Sequence, residues 1–277
     1  MQNVLSVILP ASNEAGYIGP CLDALFASSP VPGGAEVIVV ANGCRDDTVA
    51  RARNFEAVAK AAGWRLTVLN RAEGGKIAAL NAGDSVARGD LRAYLDADVI
   101  VSPELMAQIV RVLSIDAARY ASGRPEIPRA KSAVTRAYAR FWQSLPFASS
   151  AAPGYGLFAV NAAGRARWGA FPKLISDDTF VRLQFAPAER IGCKATYSWP
   201  MIEGFAALVR VRRRQDAGVA EIADHYPQIL AREGKHRLGA MGMISRALRD
   251  PVGFAVYAAV SLVVRARRGG TEWVRGR

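Results

Sequence analysis

The sequence predicts an α/β fold built on a mostly parallel sheet, and three observations carry that expectation. Over the first hundred residues, short β-rich apolar runs alternate with segments whose apolar residues recur at helical spacing. The helical segments have the length of the crossovers that join parallel strands. Polar clusters close the apolar runs at their carboxyl ends, where sheets of this kind bind ligands.

Residues 4–9 form the first strand, stopped by Pro10 and the polar Ser12, Asn13 and Glu14. Ile18, Leu22 and Leu25 then mark one face of a helix over 18–26. The Pro- and Gly-rich residues 30–34 are a loop. Residues 36–40 are a second strand, closed by the turn residues Asn42 and Gly43. Val49, Ala52, Phe55 and Ala59 recur as on a single helix over 48–62. Residues 65–69, 77–87 and 91–95 read as strand, helix and strand. The pattern loosens after residue 103. Helices are expected over 105–113 and 133–142, with Tyr138 and Phe141 as apolar anchors. The turn Gly154-Tyr155-Gly156 leads into a strand at 157–160, and a helix runs from near Ser176 to Phe185. There is no internal repeat and no low-complexity segment.

The chain has 277 residues, 51% of them apolar and 22% charged, which excludes a disordered chain, a collagen and a coiled coil. Its cysteines, Cys21, Cys44 and Cys193, are odd in number and far apart, so a reducing cytoplasm fits better than a disulfide scaffold. Residues 1–10 lack the basic start and long apolar run of a signal peptide. The net charge is +12 and the isoelectric point about 10.1. Such a surplus calls for an anionic partner: nucleic acid, anionic lipid or a phosphorylated substrate. Residues 205–277 hold 14 Lys and Arg against 6 Asp and Glu, so two thirds of the surplus sits in the last quarter of the chain. That segment reads as a solvated basic tail or as a surface that meets phosphates. Within it, residues 251–264 are uncharged, flanked by Arg246 and Arg249 on one side and Arg265, Arg267 and Arg268 on the other. As a helix they would span about 21 Å, short of a ~30 Å hydrocarbon core. They read equally as an interfacial segment on anionic lipid and as a core helix with a basic end.

Five motifs bear chemistry. Asp96-Ala97-Asp98 places two carboxylates in one turn after a buried strand, a donor set that suits Mg²⁺ shared with substrate phosphates. In residues 42–48, Asn42 has an amide able to read a base edge, while Asp46 or Asp47 suits the cap of the next helix. Gly74-Gly75-Lys76, with Asn81 beyond, offers free backbone and a point charge for phosphate, without the spacing of a Walker A loop. Ser176-Asp177-Asp178-Thr179 reads as a cap with acids in a helix's first turn, or as a pair containing a general base. Arg210, Arg212, Arg213 and Arg214 repel one another unless something anionic lies among them, and arginine suits bidentate phosphate contact. His225 and His236 read as ordinary surface or packing residues.

Taken in order, the set resembles the family 2 glycosyltransferases of the GT-A fold, over residues 4–215. The resemblance runs through residues 6–14, the turn at 42–48, Gly75-Lys76 with residues 79–83, Arg88-Gly89-Asp90, Asp96-Ala97-Asp98, residues 154–160 and Asp177-Asp178. It implies a mostly parallel Rossmann-like nucleotide-binding sheet in residues 1–110, an acceptor-binding half in 111–204, and a basic helical tail in 205–277. Pro10, Ser12, Glu14 and Asn42 would line the nucleotide pocket, with Lys76 and Asn81 near base or ribose. Asp96 would face the ribose or sugar, and Asp98 would ligate Mn²⁺ or Mg²⁺ on the diphosphate, with Asp96 as a second candidate ligand. Asp178 matches the catalytic base. Asp177, Arg210, Arg212, Arg213 and Arg214 would contact donor or acceptor phosphates.

The sequence departs from the family pattern in three ways. Asn42 stands where an aspartate is usual, the acid pair is Asp177-Asp178 rather than Glu-Asp, and the Gln-x-x-Arg-Trp motif of processive synthases is absent. The implied reaction is an inverting transfer from a nucleotide-diphosphate sugar to a hydroxyl acceptor. A lipid-linked or cell-envelope glycan is the expected acceptor. The enzyme is expected to be cytoplasmic and peripheral on the anionic inner face of the membrane, with no nucleic-acid partner. Two rival readings fare worse. A nucleic-acid binder lacks aromatics interleaved with its basic residues. A dinucleotide-dependent oxidoreductase would follow its first strand with G-x-G-x-x-G, and this chain has Pro10-Ala11-Ser12-Asn13-Glu14 there.

Overall fold

A computed structural model of the chain describes residues 4–150, 152–234 and 238–266. His236, Arg267 and Arg268 lie outside the described residues. The chain alternates as expected through β1 (Leu5–Ala11), α1 (Ile18–Phe26), β2 (Ala35–Asn42), α2 (Thr48–Arg53), α3 (Glu56–Ala61), β3 (Trp64–Arg71), α4 (Lys76–Val86) and β4 (Leu91–Leu95). It continues through β5 (Ile100–Val101), α5 (Leu105–Leu113), β6 (Tyr120–Glu126), α6 (Ala133–Gln143), β7 (Leu157–Val160), α7 (Ala162–Arg165), α8 (Asp177–Arg182) and β8 (Arg190–Ser198). Three longer helices close the described chain: α9 (Phe205–His225), α10 (Ala240–Arg249) and α11 (Pro251–Ala266).

All eight strands join one sheet in the order β3-β2-β1-β4-β7-β6-β8-β5. The first four are mutually parallel. β7 runs antiparallel to both β4 and β6, and β5 antiparallel to β8. β1 and β2 are almost wholly buried because helices cover both faces, which is why they read as continuous apolar runs rather than alternating ones. Leu5, Val7 and Leu9 turn one way, toward the core shared with α1 and α5. Ile8, Ile38 and Val40 turn the other way, onto Ala79 and Leu80 of α4 and Phe180 of α8. A third cluster joins Tyr138 and Trp142 of α6 to Leu208 and Val209 of α9 and Val260 and Val264 of α11. Tyr138 and Phe141 are both buried.

The structure corrects several element expectations. The single helix over 48–62 is two, α2 and α3, broken at Asn54 and Phe55. Asn54 is a poor helix former, and the break sets the Phe55 ring 6.2 Å from that of Phe26. The helix at Ser176 ends at Arg182. β5, β6 and β8 escape the sequence pattern because β5 has two residues, β6 carries Gly123 and Pro125, and β8 is only partly buried. Residues 251–264 form most of α11, which is buried on one side and exposed on the other. Gly253, Val260 and Val264 of α11 are buried, while Val252 and Leu262 are 62% and 64% exposed. Among the described residues, no helix is long and apolar enough to cross a membrane.

Candidate active site

The parallel strands bring their carboxyl ends to one edge, and the loops leaving β1 and β2 are knitted together there. Asn13 adopts a left-handed backbone, φ 53°, and its Oδ1 accepts the Arg45 amide at 2.6 Å. Asp46 accepts the Ala15 amide at 3.1 Å, and the Thr48 amide and hydroxyl at 3.1 and 2.5 Å. The Thr48 hydroxyl in turn accepts the Glu14 amide at 2.8 Å. Burial alone would raise the Asp46 carboxyl, but these bonds together outweigh it and hold the carboxyl below its usual range. Gly43, at φ 58°, comes so close to the next loop that a side chain there would sit 2.8 Å from the Gly74 amide nitrogen. Between these loops lies a cleft of about 440 Å³ lined by Asn13, Gly43, Cys44, Arg45, Ala72 and Gly74.

Beside it is a cluster of charge drawn from three elements. Lys76, the first residue of α4, places its Nζ 3.0 Å from Oδ1 of Asp96 and 3.2 Å from Oδ2 of Asp177. Asp96 follows β4, and Asp177 opens α8. Asp177 is 5% exposed. Its carboxyl is raised to about 6: burial pushes it up, Lys76 pulls it back, and Asp178 and Asp96 push it up again. Burial alone would lower the Lys76 ammonium, but Asp177, Asp96 and Asp178 hold it well above the usual lysine value, so it stays charged. Asp178 is half-buried, and its Oδ1 accepts the Thr179 amide at 2.6 Å. Pro10, Lys76, Asp96, Gly154, Gly156 and both acids of α8 line this pocket. Tyr94 of β4 also lines this pocket. Its hydroxyl donates to the Asp84 carboxylate at 2.9 and 3.0 Å, and its ring stacks on Phe158.

The arginines of residues 210–214 lie on α9, and the helix spreads them round its axis by about 100° per residue. Arg212 turns toward α11. Its Nε meets Asp216 Oδ1 at 2.9 Å, and its guanidinium lies 5.9 Å from the Tyr257 ring centroid. Gly218 faces the other way, packed so closely on Ser176 that a side chain would collide with the serine hydroxyl. Arg214 lies one turn before Gly218 on the same stripe of α9 and is half-buried. Arg210 is exposed and Arg213 half-buried.

Pro10, Lys76, Asp96, Asp177 and Asp178 thus share one pocket, and Asp98 lies two residues along the same turn, half-buried. Other expectations change. Asn42 is buried, and its amide donates to the carbonyls of Ala11 and Val40 while its Oδ1 accepts the Gly75 amide at 2.9 Å. It braces three loops from behind and does not present its amide to a base. Asn81 is likewise committed: it donates to the Phe171 carbonyl at 3.1 Å and accepts the Phe171 amide at 2.7 Å. Ser12 donates to the Asn42 carbonyl at 2.6 Å. Asp177 is the buried partner of Lys76, and Arg212 pairs with Asp216 and Tyr257 within the helical region. The sequence reading passed over Arg45 and Cys44 as lining residues. Their signal was the glycine at 43, which turns the chain back across the cleft. Among the described residues, no three His, Cys, Asp or Glu gather to hold a cation.

The fold agrees with comparisons to known proteins. The family model described as glycosyl transferase family 2 matches residues 6–166. Comparison with curated protein sequences finds no match. Among solved structures, the mannosyltransferase PcManGT from Pyrobaculum calidifontis, in complex with GDP-Man and Mn²⁺, superposes with a TM-score of 0.64 at 20% identity, covering 98% of this chain and 77% of that one. Residues 1–349 of TarS from S. aureus give 0.57 at 14% identity, covering 100% and 95%. Glucosyl-3-phosphoglycerate synthase from Mycobacterium tuberculosis, with Mn²⁺, UDP and glucosyl-3-phosphoglycerate, gives 0.51 at 21%, covering 80% and 79%. At such identities the likeness to these structures shows a shared fold. The family match covers more than half of the chain, which therefore belongs to glycosyl transferase family 2 and is a glycosyltransferase of the GT-A fold.

Proposed function

We propose that this enzyme transfers a sugar, with inversion, from a nucleotide-diphosphate sugar to a hydroxyl acceptor carried on a lipid-linked or cell-envelope glycan. The observation that carries this reading is the pocket in which Lys76, Asp96, Asp177 and Asp178 converge beside the 440 Å³ cleft. The nucleoside would lie in the cleft between Asn13, Cys44 and Arg45, with Pro10, Ser12 and Glu14 on its border. Residues 1–110 would act as the donor half, 111–204 as the acceptor half, and 205–277 as a basic tail on the inner face of the cytoplasmic membrane.

Asp178 would take the proton from the acceptor hydroxyl. That oxygen attacks the anomeric carbon, and the bond from that carbon to the diphosphate oxygen breaks. The nucleotide diphosphate leaves with the electron pair, so the sugar's configuration inverts. Lys76 sets the orientation of Asp96 and brings a positive charge to the side where the diphosphate gathers negative charge. Arg214 would add a second.

A divalent cation fits the donor set. Asp98 offers a hard oxygen ligand and Asp96 a second, and an ion such as Mg²⁺ or Mn²⁺ would take its remaining ligands from phosphate and water. The PcManGT and synthase structures hold Mn²⁺, which supports the same choice of Mn²⁺ or Mg²⁺ here. When bound, such an ion neutralises charge on the departing diphosphate. A donor screen by thermal shift and nucleotide release, with UDP- and GDP-sugars with and without Mn²⁺, tests the reading. Stabilisation by a nucleotide-sugar that strengthens with Mn²⁺ is expected. Stabilisation by NAD or an oligonucleotide and by no nucleotide-sugar would sink it.

A further inference from the structure

The C-terminal helices leave apolar surface that nothing in the described chain covers. Along α10, Met241, Ile244 and Leu248 follow helical spacing and are 77%, 50% and 78% exposed. None of the ten residues of α10 is buried. On α11, which packs against α10, Val252 and Leu262 continue an uncovered face while the opposite side grips α6 and α9. Side chains this apolar and this open are rare on a monomer unless something docks there.

The charges around the face say what that is. Residues 238–266 hold Arg246, Arg249 and Arg265 and one acid, Asp250. That acid is already spent: Arg140 binds it at 2.8 and 2.9 Å, and it accepts the Gly253 amide at the start of α11. Arg246 staples α10 to the end of α6 through the Ser144 carbonyl, while Arg249 and Arg265 are exposed. A second copy seated on this face by two-fold symmetry would bring arginine against arginine, with the one acid of residues 238–266 already paired. An anionic bilayer complements both the apolar stripe and its basic border.

We propose that α10, with the outer face of α11, is an interfacial element that seats on anionic phospholipid, with Met241, Ile244 and Leu248 dipping below the headgroups. The proposal rests on the reading of a membrane-borne acceptor for its purpose only. α9 ties this element to the active site, since Arg212 binds α11 at Tyr257 while Gly218 packs on Ser176, next to the acid pair. A bilayer under α10 would therefore hold the acceptor entrance in a fixed relation to lipid.

The test is co-sedimentation of the full chain with vesicles of phosphatidylcholine alone and with phosphatidylglycerol in about one third of the lipid. The proteins are the wild type, the triple variant M241S/I244S/L248S and R249E. Wild type is expected to bind the anionic vesicles and to leave them as salt rises. The triple variant should bind about tenfold more weakly or worse. R249E should lose several-fold, and only on anionic vesicles. The donor-induced melting shift, read on the same samples, reports separately on the transferase reading and is expected to be equal in all three. The proposal is overturned if the triple variant binds as wild type does, or if wild type ignores both vesicles. A wild-type dimer in sedimentation velocity that the triple variant dissolves, with no vesicle binding, would give the face to a second copy and overturn it too.

Discussion

The two charged regions of this molecule are built on opposite plans. In the strand-rich part, Lys76, Asp96 and Asp177 come from segments far apart in sequence and meet within 3.2 Å. In the helical part, four arginines within five residues are held apart by the helix that carries them. Charge that is adjacent in sequence is dispersed, and charge that is distant is gathered. Parallel topology explains the gathering, because every strand in such a set ends at the same edge. The rotation of a helix explains the dispersal. The strength of a charged motif in sequence is thus a poor guide to where charge concentrates in space.

The contrast can be broken at either end, and the largest effect is expected at Asp178. Asp178→Asn should cut transfer by about a thousandfold while donor affinity changes little, the mark of a lost general base. Full transfer by that variant would refute the assignment. Lys76→Met should come next. It leaves Asp177 buried without its counter-charge, at a cost of about 3 kcal/mol in urea unfolding. The pH dependence has a definite sign. A buried acid whose folded pKa is raised carries no penalty below the unfolded value of about 4. The penalty grows as pH rises toward the folded value, which is about 6 in the wild type and higher without Lys76. The Lys76→Met deficit should therefore shrink in acid, and adding Asp177→Asn should restore most of it.

The arginines give a smaller and sharper split. Arg214→Ala should lower transfer about tenfold and leave melting unchanged, as for a group that meets developing charge. Arg212→Ala should do the reverse, costing about 1 kcal/mol of stability through Asp216 and Tyr257 with little effect on transfer. Equal effects on transfer would mean that the helix does not sort them. The smallest effect lies at Glu189. Its two bonds to Arg167 hold its carboxyl down at about 2. Its stabilisation is complete above the unfolded value of about 4.3 and is lost as pH falls toward 2. Glu189→Gln should lower stability slightly at neutral pH and flatten the acid limb of a stability-versus-pH curve, the two proteins converging as pH falls toward 2.

Much of the strand-rich half was legible because both faces of β1 and β2 are buried, so their sequences are continuous apolar runs bounded by turn residues. The pocket residues Pro10, Lys76, Asp96 and Asp178 were legible for the same reason, each standing at a carboxyl end or a helix start. β6 and β8 were not, since Gly123, Pro125 and partial burial leave no clean alternation. Asn42 and Asn81 misled because an amide suited to a base is equally suited to a backbone, and only the fold shows the carbonyls of Ala11 and Phe171 within reach. Arg212 misled because its partner Tyr257 lies 45 residues away on another helix. The exposure of Met241, Ile244 and Leu248 was not legible either, because it depends on which faces the other helices cover.

The division between a donor-binding edge and a helical region that serves another surface is open to one direct measurement. Amide hydrogen exchange on the full chain, with and without nucleotide diphosphate and Mn²⁺, reads both regions at once. Protection should concentrate in the loops at residues 10–15, 42–46, 74–76 and 96–98, with α10 and α11 unchanged. Protection confined to α9, α10 and α11, with those four loops unaffected, would contradict the account.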